Sequence, residues 1–510
     1  MKKTISKSSS EQVKIGKFIA EMREQLNITQ KDLADELRTS QSSIARMEKG
    51  EQNFSTKTLS KISKVLNRPV LMLSNGAMNF QIEGGKKLSG EITTNTSKNS
   101  AVVLLAASLL NKNRTELKNM PRIEEVNRLM EVLSSIGVSV RWIGNDIEII
   151  PPKKINLEGL NIESAVKTRS VLLFLGPLIH ILKEFRLPHP GGCKLGRRSV
   201  RPHLFALEKL GVNIKTSSQI YDVSVKKLKP SEIVLYEAGD TVTENALMAA
   251  SLIPGITTIK FASANYQVQD LCHYLEQLGV QIDGIGTTTL IVHGVSEINI
   301  PVTYYPSEDP IESMLFISIA ATTKSSITIK RCPINFLELE LCKLEKMGFR
   351  YKILKRYKAL NGYANLVDIK TFPSNLRALE EKIHAQPYPG LNIDNLPFFV
   401  PIATQAKGTT LIHDWVYENR AIYYMELNKL GADLILADPY RVYVNGPTEL
   451  KGAEVICPPA LRPAVIILIA MLQAKGTSIL RNVYSINRGY EDLCNRLRSI
   501  GADIKILKGI

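Results

Sequence analysis

The segment Pro190-Gly191-Gly192-Cys193-Lys194-Leu195-Gly196-Arg197-Arg198 sets one thiol among three glycines and, with Arg201, four cations. Positive neighbours stabilise a thiolate, so a reactive, anion-adjacent cysteine is one reading of this loop. A basic surface loop with an incidental cysteine is the other, and these residues alone weigh the two equally. Lys98-Asn99 open an apolar helical stretch (Ala101, Val102, Leu104, Leu105) that Ser97 or Asn95 can cap. A helix N-terminus beside a lysine suits an anion. Arg169, Arg420, Arg462 and Arg488 each lie beside apolar or glycine-bearing segments, and singly none of them marks a site. Asp394, at the end of Tyr388-Pro389-Gly390-Leu391-Asn392-Ile393-Asp394, reads as a general base or as a turn cap.

These residues need a frame to hold them, and a repeat supplies one. An apolar-Gly pair recurs as Ile136-Gly137, Leu210-Gly211, Leu278-Gly279, Met347-Gly348, Leu430-Gly431 and Ile500-Gly501, with the glycines 74, 68, 69, 83 and 70 residues apart. An amphipathic helical stretch precedes each and an alternating strand follows. Glycine at a helix exit suits a left-handed cap and needs no ligand to explain it. Copies of about 70 residues with helices and strands predict two α/β lobes of three repeats, with a cleft between them.

Residues 12–73 differ in kind. Ile15, Phe18, Ile19 and Met22 keep helical spacing. Thr29 with Asp32 forms a capping box for a helix over Gln30–Leu37, Ser40 caps a third over Gln41–Lys49, and Gly50 stops it. A last helix carries Leu59, Ile62, Val65 and Leu66. Helix, tight turn, helix is the helix-turn-helix pattern. The runs Ile28-Thr29-Gln30-Lys31-Asp32-Leu33-Ala34 and Ser40-Gln41-Ser42-Ser43-Ile44-Ala45-Arg46 resemble the Xre/Cro/lambda-repressor-like family. That resemblance implies major-groove binding of double-stranded DNA, with Gln41, Ser42 and Arg46 at base edges and Gln30 at a phosphate. It also raises the expectation of a homodimer on DNA. A helical bundle docking on a protein partner is the other reading.

Charge follows the same division. Net charge over the 510 residues is +16. Residues 1–77 hold 14 Lys and Arg against 8 Asp and Glu, and the remaining 433 hold 51 against 41. Per residue, the first piece is more than three times as basic, as a nucleic-acid-binding module would be. The six cysteines show no CxxC spacing, so a zinc site is not expected, and the absence of a signal peptide reads as cytoplasmic. The longest apolar stretch, Val171 to Leu182, is too short to span a bilayer, so no membrane partner is expected.

From about Met78 onward the chain resembles the UDP-N-acetylglucosamine 1-carboxyvinyltransferase family. The carrying residues are Lys98-Asn99, Lys167-Thr168-Arg169, Pro190-Gly191-Gly192-Cys193, Thr243-Glu244-Asn245, Tyr417-Glu418-Asn419-Arg420 and Arg488-Gly489-Tyr490-Glu491. The resemblance implies a two-lobed inside-out α/β barrel of six βαβαββ units. One lobe would comprise 78–97 with 308–510, the other 98–307. Lys98, Arg198, Arg462 and Arg488 would hold phosphoenolpyruvate, Cys193 would protonate its methylene, and Asp394 would take the proton of the acceptor hydroxyl. Asn99, Arg169, Asp394, Val416 and Arg420 would line the place of UDP-N-acetylglucosamine or a related sugar nucleotide. No metal or organic cofactor is implied.

Several positions depart from the family. Its aspartate after the cysteine loop is Arg201 here, its nucleotide-cradling segment reads Gly239-Asp240-Thr241-Val242, and an aspartate two residues before Arg462 is Ala460. Two functions therefore stay open. One is a working enolpyruvyl transferase for peptidoglycan precursors that also binds DNA. The other is a transcriptional regulator whose transferase-like half senses phosphoenolpyruvate or a UDP-sugar without turnover.

Overall fold

The computed structural model describes residues 10–26, 28–37, 39–51, 56–65, 78–191, 199–217 and 219–508. The chain divides into two compact units on either side of the Ala77–Met78 junction.

Among its described residues the first unit has four helices: α1 Ser10–Gln25, α2 Gln30–Leu37, α3 Gln41–Glu48 and α4 Thr56–Val65. Local polar residues set their starts. Asp32 N–H donates to Thr29 Oγ1 (3.1 Å) while Thr29 N–H donates to Asp32 Oδ2 (2.9 Å), a reciprocal box. Ser40 Oγ accepts from Ser43 N–H at 3.2 Å. Each cap is worth about 1 kcal/mol. Helix α3 stops one residue earlier than expected, with Lys49 as its C-cap and Gly50 at φ 71°. The core is Ile19, Met22, Leu33, Ala34, Leu37, Ile44, Met47, Leu59 and Ile62. At Gly16 a Cβ would fall 2.3 Å from the Met47 carbonyl, so α1 runs directly against the end of α3. Leu66 lies outside the described residues.

The second unit holds six β-sheets among the described residues. Its opening strands join its closing ones. Met78–Gly84 pairs antiparallel with Gly476–Arg481, and Ser89–Thr93 runs parallel to Ser326–Pro333. Thr115–Leu117 runs parallel to Val302–Tyr304, tying the ends of the middle segment together. Two buried clusters result. One draws on Phe80–Ile92, Tyr266 and Ile311–Ile504, the other on the remaining buried residues from Ala101 to Tyr304. The chain passes between them twice, side by side. Ser97 N–H donates to the Ser307 carbonyl (2.8 Å), Asp309 N–H to the Asn95 carbonyl (2.9 Å), and Thr96 bridges Glu308.

Helices fill the middles of these clusters. All thirteen residues of Pro310–Thr322 are buried, as are most of Leu461–Gln473 and Asp240–Ser251. A helix apolar on every side has no water-facing stripe to present, so it is enclosed. The strands bury alternate residues, as in Arg441–Gly446, and so cover the helices with one face. The six motif glycines all have positive φ, from 86° at Gly431 to 100° at Gly211. At Gly279 the cap is doubled: Gly279 N–H donates to Glu276 O and Val280 N–H to Leu275 O, both at 3.0 Å. This 6→1 and 5→2 pair ends the helix and turns the chain into the next strand. The stretch before Gly431 is 3-10 rather than α-helix.

Candidate functional site

Between the two clusters of the second unit lies a cleft of about 800 Å³. Of the residues singled out from the sequence, Lys98, Asn99, Arg169, Asp394, Val416, Arg420, Arg462 and Arg488 all line it. Cys193 and Arg198 lie outside the described residues, as do Lys194 and Arg197.

Lys98 is the first residue of the helix Lys98–Ala107. Ser97, not Asn95, caps it, accepting from Asn99 and Ser100 N–H. The Asn99 side chain donates to Tyr266 Oη at 3.0 Å, which fixes the amide against the neighbouring cluster. Burial drives the Lys98 pKa down, and Arg462 and Arg488 add to this, while Glu125 and Asp394 oppose it. Glu125 receives hydrogen bonds from Thr168 and Ser170 and stands 3.7 Å from Arg488 Nε. Burial would raise its pKa. Lys98, Thr168 and Arg488 outweigh burial and keep it ionised.

Asp394 hangs on a turn whose Asn392 side chain accepts from the Asp394 N–H (2.8 Å), so its backbone serves the turn and its carboxylate does not cap it. Its Oδ2 meets Arg462 Nη2 at 3.2 Å, and its Oδ1 lies 3.8 Å from Arg420 Nη1. Burial would raise this pKa too. Arg462, Arg420 and Lys98 prevail and hold it below the usual carboxylate range. The side chain is 27 % exposed, which leaves it reachable from the cleft.

Arg420 is 1 % exposed, unlike the surface residue an isolated arginine suggests. Asp414 grips it at Nε (2.6 Å) and Nη2 (2.7 Å), and Tyr424 Oη donates to the same carboxylate. Sequence reading missed Asp414, Glu125 and Tyr424, because no local spacing marks them. Arg462 donates to Tyr490 Oη at 2.6 Å. Ala460 occupies the N-cap of that helix and offers no capping side chain. Arg169 is anchored by its donation to the Ser199 carbonyl (3.1 Å).

The opposite wall is acidic. Asp240 accepts from Ser263 Oγ (2.5 Å) and Asn265 Nδ2 (3.0 Å), and Glu244 accepts from Gln267 Nε2 (2.8 Å). Burial pushes Glu244 up to about 8, with Asp240 adding to the shift.

Arg462, Arg420 and Lys98 act on the ionised Asp394 carboxylate and Arg488 lines the same cleft, an arrangement that can hold an anion beside a base. Residues 82–497 match the family of EPSP synthase (3-phosphoshikimate 1-carboxyvinyltransferase). The chain is 34% identical over 426 residues to the UDP-N-acetylglucosamine 1-carboxyvinyltransferase of Bradyrhizobium diazoefficiens, covering 84% of this chain and 97% of that one. It is 34% identical over 430 residues to the protein of the same name from Treponema denticola, covering 84% and 99%. The chain belongs to the enolpyruvyl transferase family. Its fold is that of other members: the enolpyruvyl transferase NikO from Streptomyces tendae superposes with a TM-score of 0.75 at 24% identity, over 85% of this chain and all of that one. EPSP synthase from Acinetobacter baumannii gives 0.65 at 17%, over 84% and 100%.

This enolpyruvyl transferase carries an N-terminal helix-turn-helix domain, matched over residues 19–73. On α3, Gln41, Ser42 and Arg46 are exposed. Gln30 Nε2 donates to Glu48 Oε2 at 2.7 Å, and Glu48 also receives Arg23 Nε at 2.6 Å. That network ties α1 and α2 to the end of α3 and uses one of the two amide N–H donors of Gln30. No helix among the described residues is long and apolar enough to cross a membrane.

Proposed function

We propose that this protein transfers the enolpyruvyl group of phosphoenolpyruvate to the 3-hydroxyl of UDP-N-acetylglucosamine or a related sugar nucleotide, a step in making peptidoglycan precursors, and that its first domain binds a specific DNA sequence, as a homodimer. The observation that carries the enzymatic reading is the meeting of Lys98, Arg462 and Arg488 with Asp394 in one cleft.

Phosphoenolpyruvate brings a phosphate and a carboxylate, and those three cations, joined by Arg198, neutralise both. Asp394 accepts the acceptor's hydroxyl proton as its oxygen attacks C-2, while Cys193 gives a proton to C-3. The resulting tetrahedral adduct loses phosphate from C-2 and a proton from C-3, leaving an enolpyruvyl ether. Asn99, Arg169, Val416 and Arg420 position the sugar nucleotide. The buried helices under half-exposed strands, and the six glycine exits, support reading the unit as two inside-out barrels of three βαβαββ repeats, 78–97 with 308–510 and 98–307.

Phosphate release by the full-length chain, with phosphoenolpyruvate and UDP-N-acetylglucosamine, tests this against Cys193→Ser. The wild type should release phosphate and the variant should not. A second reading is a sensor that binds without turnover, and Ala460 favours it. Phosphate release that appears only in Ala460→Asp would establish the sensor.

A further inference from the structure

Charges on neighbouring strands of the second unit are matched at five places. Arg141 meets Glu148, Arg186 meets Asp222, Lys260 meets Glu232, Arg481 meets Glu454 and Lys330 meets Glu91. Opposite charges across strands stabilise a sheet, and like charges directly opposite destabilise it. One sheet departs from this matching. Its strands run in the order Arg350–Lys358, Asn365–Phe372, Ser326–Pro333 and Ser89–Thr93. The edge strand Arg350–Lys358 carries Arg350, Lys352, Lys355, Arg356 and Lys358 and no acid. All five cations are exposed, and none forms an ion pair among the described residues; Arg350 donates instead to the Pro373 carbonyl, and Lys355 lies over the Tyr357 ring.

Register decides which way they face. Tyr351 and Ile353 lie opposite the buried Thr371 and Ile369, so Arg350 and Lys352, with Phe372 and Lys370 opposite them, look outward. An extra residue at Leu354 shifts the register, which puts Lys355 on the outward face too, opposite Asp368. Strict alternation would have turned Lys355 inward. Lys352 and Lys370 thus stand directly opposite each other. The acids of this face are engaged: Asp368 Oδ1 accepts from Tyr357 Oη (2.7 Å) and from the Arg331 N–H (3.1 Å), and Glu91 holds Lys330. Lysines on an edge strand guard it against pairing with another chain. That accounts for Arg350–Lys358 but not for Lys370, whose strand is paired on both sides.

We propose that Arg350, Lys352, Lys355 and Lys370 form a second, sequence-independent contact for the phosphates of double-stranded DNA; the choice of DNA rests on the DNA-binding reading of the first domain above. Four cations without counter-charges repel one another, and a polyanion relieves that repulsion. They lie on an open sheet face outside the cleft, which suits an extended polyanion better than a small anion. Arg350 to Lys355 cover about 17 Å of strand at about 3.4 Å per residue. Duplex DNA presents one negative charge per about 1.7 Å of axis, so several phosphates fall along that length. Contacts of lysine and arginine to phosphate carry no sequence information.

Fluorescence anisotropy of the full-length chain tests this, on a random duplex and on a selected operator, between about 50 and about 200 mM salt. Each phosphate contact adds about 0.9 to the slope of log K against log salt. Arg350→Ala/Lys352→Ala/Lys355→Ala/Lys370→Ala should lower that slope by about 3 to 4 on both duplexes, so that over this range the wild type loses about a hundredfold more affinity than the variant. Lys352→Arg/Lys355→Arg/Lys370→Arg keeps the charge and should bind as the wild type does. The thermal midpoint of the alanine variant should not fall, since the changes remove repulsion. An unchanged slope in the alanine variant overturns the proposal, and so does an equal loss in the arginine variant. If the alanine variant loses binding to phosphatidylserine vesicles while its duplex binding is unaltered, the face belongs to a membrane surface and the proposal falls. Arg46→Ala separates the two DNA readings. A loss confined to the operator in Arg46→Ala, with the sheet variant like wild type, keeps the first domain and removes the sheet contact. Random-duplex binding lost in the sheet variant, with no operator obtained by selection, keeps the sheet contact and removes sequence-specific binding by the first domain.

Discussion

Asp394 and Arg462 stand 68 residues apart in the chain, and Arg462 Nη2 lies 3.2 Å from Asp394 Oδ2. Each changes what the other can do. The guanidinium keeps the carboxyl ionised despite burial, and the carboxylate helps keep a charge inside the protein that water would otherwise have to solvate. The pair leaves Asp394 a ready base at neutral pH.

Asp394→Asn should therefore lower kcat by about 10²–10⁴, the usual contribution of a general base. Arg462→Gln removes the largest charge holding the Asp394 pKa down. The acid limb of the kcat/KM profile should then move to higher pH, along with weaker phosphoenolpyruvate binding. An unmoved limb would mean that another group titrates there.

Glu244 carries the opposite perturbation. Its folded pKa of about 8 lies above the ordinary 4.5, because burial disfavours its charge. Between those values the folded chain holds a proton that the unfolded chain has released. Stability falls as pH rises through that window, by about 1.4 kcal/mol for each pH step of one. Glu244→Gln removes the dependence. The unfolding midpoint of the variant, relative to wild type, should rise between about pH 5 and about pH 8 and stay level above. A constant difference across that range counts against a protonated Glu244.

The motif glycines should not be equal. Gly501 has φ 95° with nothing within 4 Å of a built Cβ, so Gly501→Ala meets only the left-handed backbone penalty, about 1–2 kcal/mol. Gly211, at φ 100°, has the Lys227 carbonyl 2.2 Å from that Cβ. Gly211→Ala adds a clash with backbone and should cost more. Denaturant midpoints of the two variants compare them directly, and equal losses would show that the backbone at Lys227 yields.

What the sequence made legible was local. The Thr29–Asp32 box, the Ser40 and Ser97 caps and the six glycine exits are set by residues within a few positions of one another, and their signals survive without tertiary context. The resemblance of short runs named Lys98, Asp394, Arg420, Arg462 and Arg488, and they line one cleft. What supports them was not legible. Asp414 reads as a loop acid, Glu125 as a first-turn helix acid and Gln267 as a surface amide. Each takes its role from a partner brought near only by the fold, as Gln267 does by meeting Glu244 across 23 residues. Gln30 shows the same limit: no local spacing marks Glu48, 18 residues away, as an acceptor for its amide.

The helix-turn-helix domain makes a last prediction. Arg46 is exposed on α3, its Nε lying back on the Ser42 carbonyl at 3.4 Å, a contact weak enough to give up for a base. Arginine pairs bidentately with guanine, so Arg46→Ala should cost about 1–3 kcal/mol on a selected operator and little on random duplex. Lys49, at the C-cap of α3, is away from the base-reading start of the helix. Lys49→Ala should weaken both duplexes alike and lower the slope of log K against log salt by about 0.9. Gln30→Ala removes the bond to Glu48, so it should loosen the α2–α3 contact and lower the domain's melting temperature. Fluorescence anisotropy on operator and random duplexes at several salt concentrations reads the first two, and thermal unfolding reads the third. Equal loss on both duplexes for Arg46→Ala would reduce its role to phosphate contact and shift base readout to Gln41 and Ser42.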